Sequence, residues 1–360
     1  MKRSAAALLS ILIVSPFMPA LAQQLKLETV AANETAPING VTVLPNGRIF
    51  VSLPRWQDWN IPSFAEVTKD GLKPYPGGTW NTWKKGDPVT DRFVNVNGVQ
   101  QHNGHLWVID SGGPFLGPQV AGSAKLVRID PETNKIVRVY PFGPDLIPNN
   151  GYLNDVRFDP DGKTAYLAES GSGAIYVLDL DSGKARRLLS GTKPTLWTEG
   201  VVAKVEGREL RTPDGGVVKI HADQIEISPD GQTLYFQALS GPLYKVPTAA
   251  LKDDKLDDER LLASVEKAVD TSPLGGLSQD HDGRFLLSEL ETNSVTRIEK
   301  DGRKTVLVKD AELVWPDAPF LAADGYLYVP AAQASRMAPF QAGENRLKPP
   351  YKLFRIRYER

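Results

Sequence analysis

The chain has 360 residues, 41% hydrophobic and 24% charged, a balance that excludes a disordered chain and a membrane-embedded one. Lys and Arg total 42 against 43 Asp and Glu, so no net field draws nucleic acid or an anionic membrane surface. Cysteine is absent and His numbers only 4, which excludes disulfides, thiolate nucleophiles and Cys-ligated metals and leaves little for a multi-His metal site.

Residues 1–22 read as a secretory signal: Lys2 and Arg3, an apolar run broken by Pro16 and Pro19, and the small-x-small cleavage pattern Ala20-Leu21-Ala22. The mature chain is expected to begin at Gln23 in the periplasm or outside the cell. No later run is long enough to span a membrane.

From residue 38 onward one unit recurs six times: a short apolar strand, an Asn/Asp-Gly or similar turn, and a second apolar strand. The turn glycines are Gly47, Gly104, Gly162, Gly231, Gly283 and Gly325. Asn-Gly and Asp-Gly suit the positive φ of tight hairpins, and the flanks are β-branched or aromatic. More strand-like sequence follows each hairpin, as at 174–180 and 294–298. Four strands per unit, at a period near 50, predict an all-β fold over 23–360: a six-bladed β-propeller of four-stranded antiparallel blades. The strand-like ends, 25–30 and 352–358, are expected to share one blade and close the ring. Residues 257–268 carry a helical pattern, read as an inter-blade insertion. Residues 210–220 read as an extra hairpin turning at 213–216.

In such a ring the start of each innermost strand faces one mouth of the central channel. These positions are Asn39, Asn97, Asn154, Asp223, Gly275 or Gly276, and Asp317. Converging amide and carboxylate oxygens suit a polar ligand or ordered water; they also suit Ca2+, for which Asn154 and Asp223 are the candidate ligands. No cofactor is required. His221 and Asp223, two residues apart, point the same way if the segment is extended, and His221 is the first candidate for a base. Asp155, Glu199 and Glu289 are further acids, Asp155 also being placed to hold the neighbouring blade. His102 and His105 are expected to face solvent, and His281 to sit in a turn. Trp56, Trp59, Trp80, Trp83, Trp197 and Trp315 are candidates for an aromatic cage, with Arg55 placed to pair with a carboxylate.

Four segments carry a family resemblance: 39–56 (NGVTVLPNGRIFVSLPRW), 105–112 (HLWVIDSG), 315–329 (WPDAPFLAADGYLYV) and 349–356 (PPYKLFRI). Across residues 33–358 the chain resembles the yellow / major royal jelly protein family, in particular its bacterial members. The resemblance implies a secreted six-bladed propeller that binds a small molecule or acts as a dopachrome-tautomerase-like isomerase. The missing cysteines set the chain apart from the insect members. The turns also resemble those of calcium-dependent gluconolactonase-type propellers. Against that metal set, however, the chain offers Asn39 for a Glu and Gly276 for the acid/base Asp, so lactonase activity ranks second and an interaction scaffold third. The expected partner is a small molecule, bound by a monomer.

Overall fold

The computed structural model describes residues 24–57 and 61–358; the signal reading at 1–22 and Trp59 lie outside them. Six four-stranded antiparallel sheets are arranged as the blades of a propeller. From the innermost strand outward, blade one is Val41–Val43, Ile49–Ser52, Phe64–Thr68 and Gly71–Pro74. Blade two is Val96–His102, His105–Asp110, Lys125–Asp130 and Lys135–Pro141. Blade three is Leu153–Phe158, Thr164–Glu169, Ala174–Asp179 and Ala185–Leu188. Blade four is Ala222–Ile227, Thr233–Ala238, Leu243–Pro247 and Glu266–Val269. Blade five is Leu274–Gln279, Phe285–Glu289, Ser294–Ile298 and Lys304–Lys309.

Blade six closes the ring as the sequence predicts. Its inner strands, Phe320–Leu321, Tyr326–Ala331 and Tyr351–Arg357, are completed by the N-terminal strand Leu27–Asn33 on the outer edge. That strand pairs antiparallel with Tyr351–Arg357 from Leu27↔Ile356 to Asn33↔Tyr351.

The hairpin chemistry accounts for the repeat. All six turn glycines lie at φ between 70° and 84°, where a side chain is strained. Asn46, Asp161, Asp230 and Asp324 each accept the N–H two residues on, fixing the turn before the second strand begins. The cores lie between blades: Trp107, Tyr140, Phe158 and Tyr176 pack between blades two and three, and Phe50, Phe64, Tyr75 and Phe93 between blades one and two.

Two local expectations are corrected. The helical pattern at 257–268 lies inside blade four, between its third and fourth strands. Only Asp258–Ala263 is helical, capped by Asp257 accepting from Arg260 N, whereas Glu266–Val269 is the outer strand. Edge pairing with Leu243–Pro247 overrides the helical periodicity there. The extra hairpin is Lys204–Val205 with Arg208–Glu209; at 210–220 only the turn forms, closed by a single bridge between Arg211 and Val217.

Candidate functional site at the channel mouth

Four of the six inner strands, those of blades two to five, reach the channel through a local break in their pairing. The ladder to the second strand shifts between Val96 and Gly98, Leu153 and Val156, Ala222 and Gln224, and Leu274 and Gly276. A bulge re-aims a side chain and frees backbone groups. Asn97, Asn154, Asp223 and Gly275 sit in these four breaks.

The freed groups join blade to blade. Asn39 Nδ2 donates to Asn97 O at 3.1 Å, and Asn97 Nδ2 donates to Asn154 Oδ1 at 2.7 Å. Asn154 Nδ2 donates to Asp223 Oδ1, while Gln224 Nε2 donates to Asp223 Oδ2 at 2.5 Å and to Leu274 O at 2.8 Å. Blade five breaks the series of polar side chains for a steric reason. A Cβ on Gly275 would lie 2.1 Å from Pro316 O, and one on Gly276 2.7 Å from Ala318 N.

Above this belt is a cavity of about 350 Å3. Its floor is polar: Asn39, Asn97, Asn154, Asp223 and Asp317 line it. Its wall is largely apolar, with Trp56, Ile220, Trp315, Met337 and Phe340. Trp56 comes from the loop after the second strand of blade one and Trp315 from the segment between blades five and six; Ile220 comes from an insertion between blades three and four, and Met337 and Phe340 from one between the second and third strands of blade six. The two insertions are joined where Arg211 N donates to Phe340 O at 3.0 Å and Ala342 N donates to Arg211 O at 2.9 Å. Trp315, held at φ 54°, stacks on Phe340 with centroids 5.8 Å apart, and its Nε1 donates to Asp317 Oδ2 at 3.0 Å.

Tyr152, which the sequence reading did not single out, also lines the cavity. Its hydroxyl accepts from Trp56 Nε1 at 2.9 Å and Asn95 Nδ2 at 3.1 Å, and donates to Asn97 Oδ1 at 2.9 Å. Burial pushes it up to about 12, so it stays protonated. No motif marks it; its place follows from the chain path between blades two and three.

The acidity of the floor is unusual. Burial raises Asp317 to about 8. Burial also holds Asp223 well above the usual carboxylate range, and the nearby Asp317 and Asp155 carboxyls push it further. A buried carboxyl among like charges favours its neutral form. Asp155 itself pairs with Arg157 at 3.4 Å, and Arg157 reaches Glu226 at 3.1 Å and Leu277 O in blade five at 3.1 Å. This cluster ties blades three, four and five; Asp155 and Arg157 do not line the cavity.

The other sequence candidates take structural places. His221 does not line the cavity: its Nδ1 accepts from Trp197 N at 2.9 Å, and burial lowers its pKa. The bulge at Ala222 and Gln224 breaks the alternation that would have put His221 and Asp223 on one side. Trp197 instead donates through Nε1 to Val201 O. Arg55 is buried, giving its guanidinium to the carbonyls of Phe93, Val94, Ile61 and Asn81 over Trp83; burial lowers it to about 10. Trp80 packs on Phe93. Glu289 is held by Ser272, Thr296 and Lys304, and Glu199 is exposed. His102 is not solvent-facing; it stacks on Phe158 at 4.7 Å. His105 contacts Arg128, and His281 is exposed in its turn.

Among the described residues no group of three or more His, Cys, Asp or Glu side chains is placed to hold a metal ion, and no helix is long and apolar enough to cross a membrane. No curated protein sequence matches the chain. Among solved structures, a gluconolactonase from Xanthomonas campestris is 14% identical, with 94% of this chain and 92% of that one covered at a TM-score of 0.55. A luciferin-regenerating enzyme is 11% identical, with 92% and 95% covered at 0.54. A calcium-binding protein, regucalcin, from Agrobacterium tumefaciens is 14% identical, with 92% and 96% covered at 0.52. At such identities the likeness is one of fold. The family profile described as Major royal jelly protein matches residues 99–329, more than half of the sequence, from blade two through the second strand of blade six. The chain therefore belongs to the major royal jelly protein family.

Proposed function

We propose that the protein is exported and binds a small aromatic or polar molecule in the channel-mouth cavity. The observation that carries this reading is the division of that cavity into an aromatic wall, Trp56, Trp315 and Phe340, over a floor holding Asp223 and Asp317. A flat ring stacks on the wall, and an amine is drawn both to the ring faces and to an ionised floor carboxylate. Because Asp317 titrates near 8, a cationic amine binds with proton release and more tightly as pH rises towards that value. Tryptophan fluorescence titration with catechols, indoles and biogenic amines is the test. A saturable change is expected, and silence towards all of them at millimolar concentration refutes the reading. Export predicts a secreted or periplasmic chain whose N-terminus reads from Gln23.

A dopachrome-type isomerisation is the catalytic form of the same reading. It needs one group to take a carbon-bound proton and a group to return one elsewhere. Asp223 and Asp317 suit this, since two buried carboxyls that disfavour each other's ionisation supply one base and one acid. The base thus shifts from His221 to the carboxyl pair. Loss of dopachrome absorbance should slow in Asp317→Asn and Asp223→Asn but not in His221→Ala. Unchanged rates in both carboxyl variants remove the pair from this role. A calcium-dependent hydrolase of the gluconolactonase kind is not favoured. Asn154 and Asp223 remain as oxygen donors, but the fifth-blade position has no room for a side chain to serve as acid/base.

A further inference from the structure

A second cavity, of about 160 Å3, lies away from the channel mouth, where the hairpin Lys204–Val205/Arg208–Glu209 meets the loop 334–348. Arg208, Arg336, Arg346 and Lys348 line it, with Glu206 as its one acid. Glu206 is already committed to Arg336, accepting from Nε at 2.8 Å and Nη2 at 2.6 Å. Arg346 pairs with Glu344 at 3.1 Å. Among the described residues neither Arg208 nor Lys348 has an ion-pair partner, so the cavity keeps surplus positive charge. Ser335 adds an independent sign. It is 2% exposed, lines the same cavity, and its hydroxyl has no hydrogen-bond partner. A buried hydroxyl left unpaired is costly, so a polar occupant is the expected remedy.

We infer that this cavity is a binding site for a phosphate-like oxyanion, held by Arg208, Lys348 and Arg346 and by the Ser335 hydroxyl. The size agrees: at about 30 Å3 per water the cavity holds roughly five water volumes, enough for one tetrahedral oxyanion with some water and too little for a nucleotide. Arginine forks and a lysine point charge are the usual partners of such an anion. The cation cluster also pulls Glu206 below the usual carboxylate range, through Arg336 first and then Lys348 and Arg346. Arg208 comes from the hairpin and the other cations from the loop, so the anion ties the two together.

The test is thermal unfolding of the full mature chain with inorganic phosphate, ionic strength held constant with sodium chloride, and with glycerol phosphate as a monoester. A saturable rise in the midpoint with phosphate is expected, since a ligand that binds only the folded state stabilises it. A rise with the monoester as well marks the site as reading the end group of a larger molecule; a rise with phosphate alone marks it as closed around the free ion. The Arg208→Ala/Lys348→Ala pair should lose the response, and Ser335→Ala should weaken binding about tenfold or more, as for loss of one hydrogen bond to a charged group. None of these residues lines the channel-mouth cavity, so aromatic-ligand binding there should be unaffected. No saturable response in the wild-type chain, or an unchanged response in the double variant, overturns the inference.

Discussion

Asp317→Asn should change stability with opposite sign at the two ends of the pH range. In the folded chain Asp317 titrates near 8 against an ordinary value of 3.8. Below pH 3.8 the carboxyl is neutral in both states and contributes no difference. As pH rises from there the unfolded chain ionises first, so stability falls and then levels off above about 8. At 1.36 kcal/mol per unit the full loss is about 6 kcal/mol, an upper limit because the carboxyl borders an open cavity. Asparagine does not ionise and avoids this loss. It also loses the acceptor for Trp315 Nε1, which costs about 1 kcal/mol, while its Oδ1 still accepts from Ala318 N. The variant should therefore be about 1 kcal/mol less stable near pH 4 and a few kcal/mol more stable near pH 9. Urea unfolding of both chains across this range gives the difference directly. A difference that does not vary with pH would refute the assignment of a neutral Asp317 to the channel floor.

Lys125→Met should cost about 3–5 kcal/mol in urea unfolding, because it leaves the buried Asp110 carboxylate without the cation now 2.8 Å away. Gly275→Ala drives a methyl group to 2.1 Å from Pro316 O and should cost ~3 kcal/mol or more, while Gly77→Ala, with open space around it, should stay within about 0.5 kcal/mol of wild type. Tyr152→Phe leaves Trp56 Nε1 without its acceptor and Asn97 Oδ1 without its donor, while Asn95 Nδ2 keeps Ser111 Oγ and Gly113 O; a loss of about 1–3 kcal/mol and altered tryptophan emission are expected.

The ring was legible because its signals are local and repeated. An Asp-Gly or Asn-Gly turn reports its own backbone, and six such turns, recurring along the chain, leave few architectures. The converging floor residues were legible for the same reason: each stands seven or eight residues before its turn glycine. What escaped depends on contacts between blades. His221 and Asp223 were paired by strand alternation, yet the bulge beside Asp223 is set by neighbouring inner strands and leaves no mark in the spacing. Arg55 next to an aromatic looked like a ligand clamp, but the carbonyls that fill it come from the segments at 61, 81, 93 and 94. Tyr152 enters the site only because its hydroxyl meets Trp56 and Asn97 from blades one and two.

The seam in blade six also bears on how the molecule is assembled. Blades one to five are each made from a continuous stretch of chain, so each can gather from nearby residues as soon as it is made. The seam is different: Glu28 meets Arg355 across 327 residues. Closing so long a loop is slow to find but not much dearer than closing a shorter one, since each doubling adds only about 0.6 kcal/mol. The outermost strand of the last blade thus stays unclaimed until synthesis is complete. A chain cut short at its C-terminus leaves Leu27–Asn33 without its partner, and one trimmed past residue 33 bares the edge of Tyr351–Arg357. Either product carries an open row of backbone donors and acceptors that can recruit a strand from another copy. Pairing the first strand with the last makes an intact chain the condition for a sealed ring.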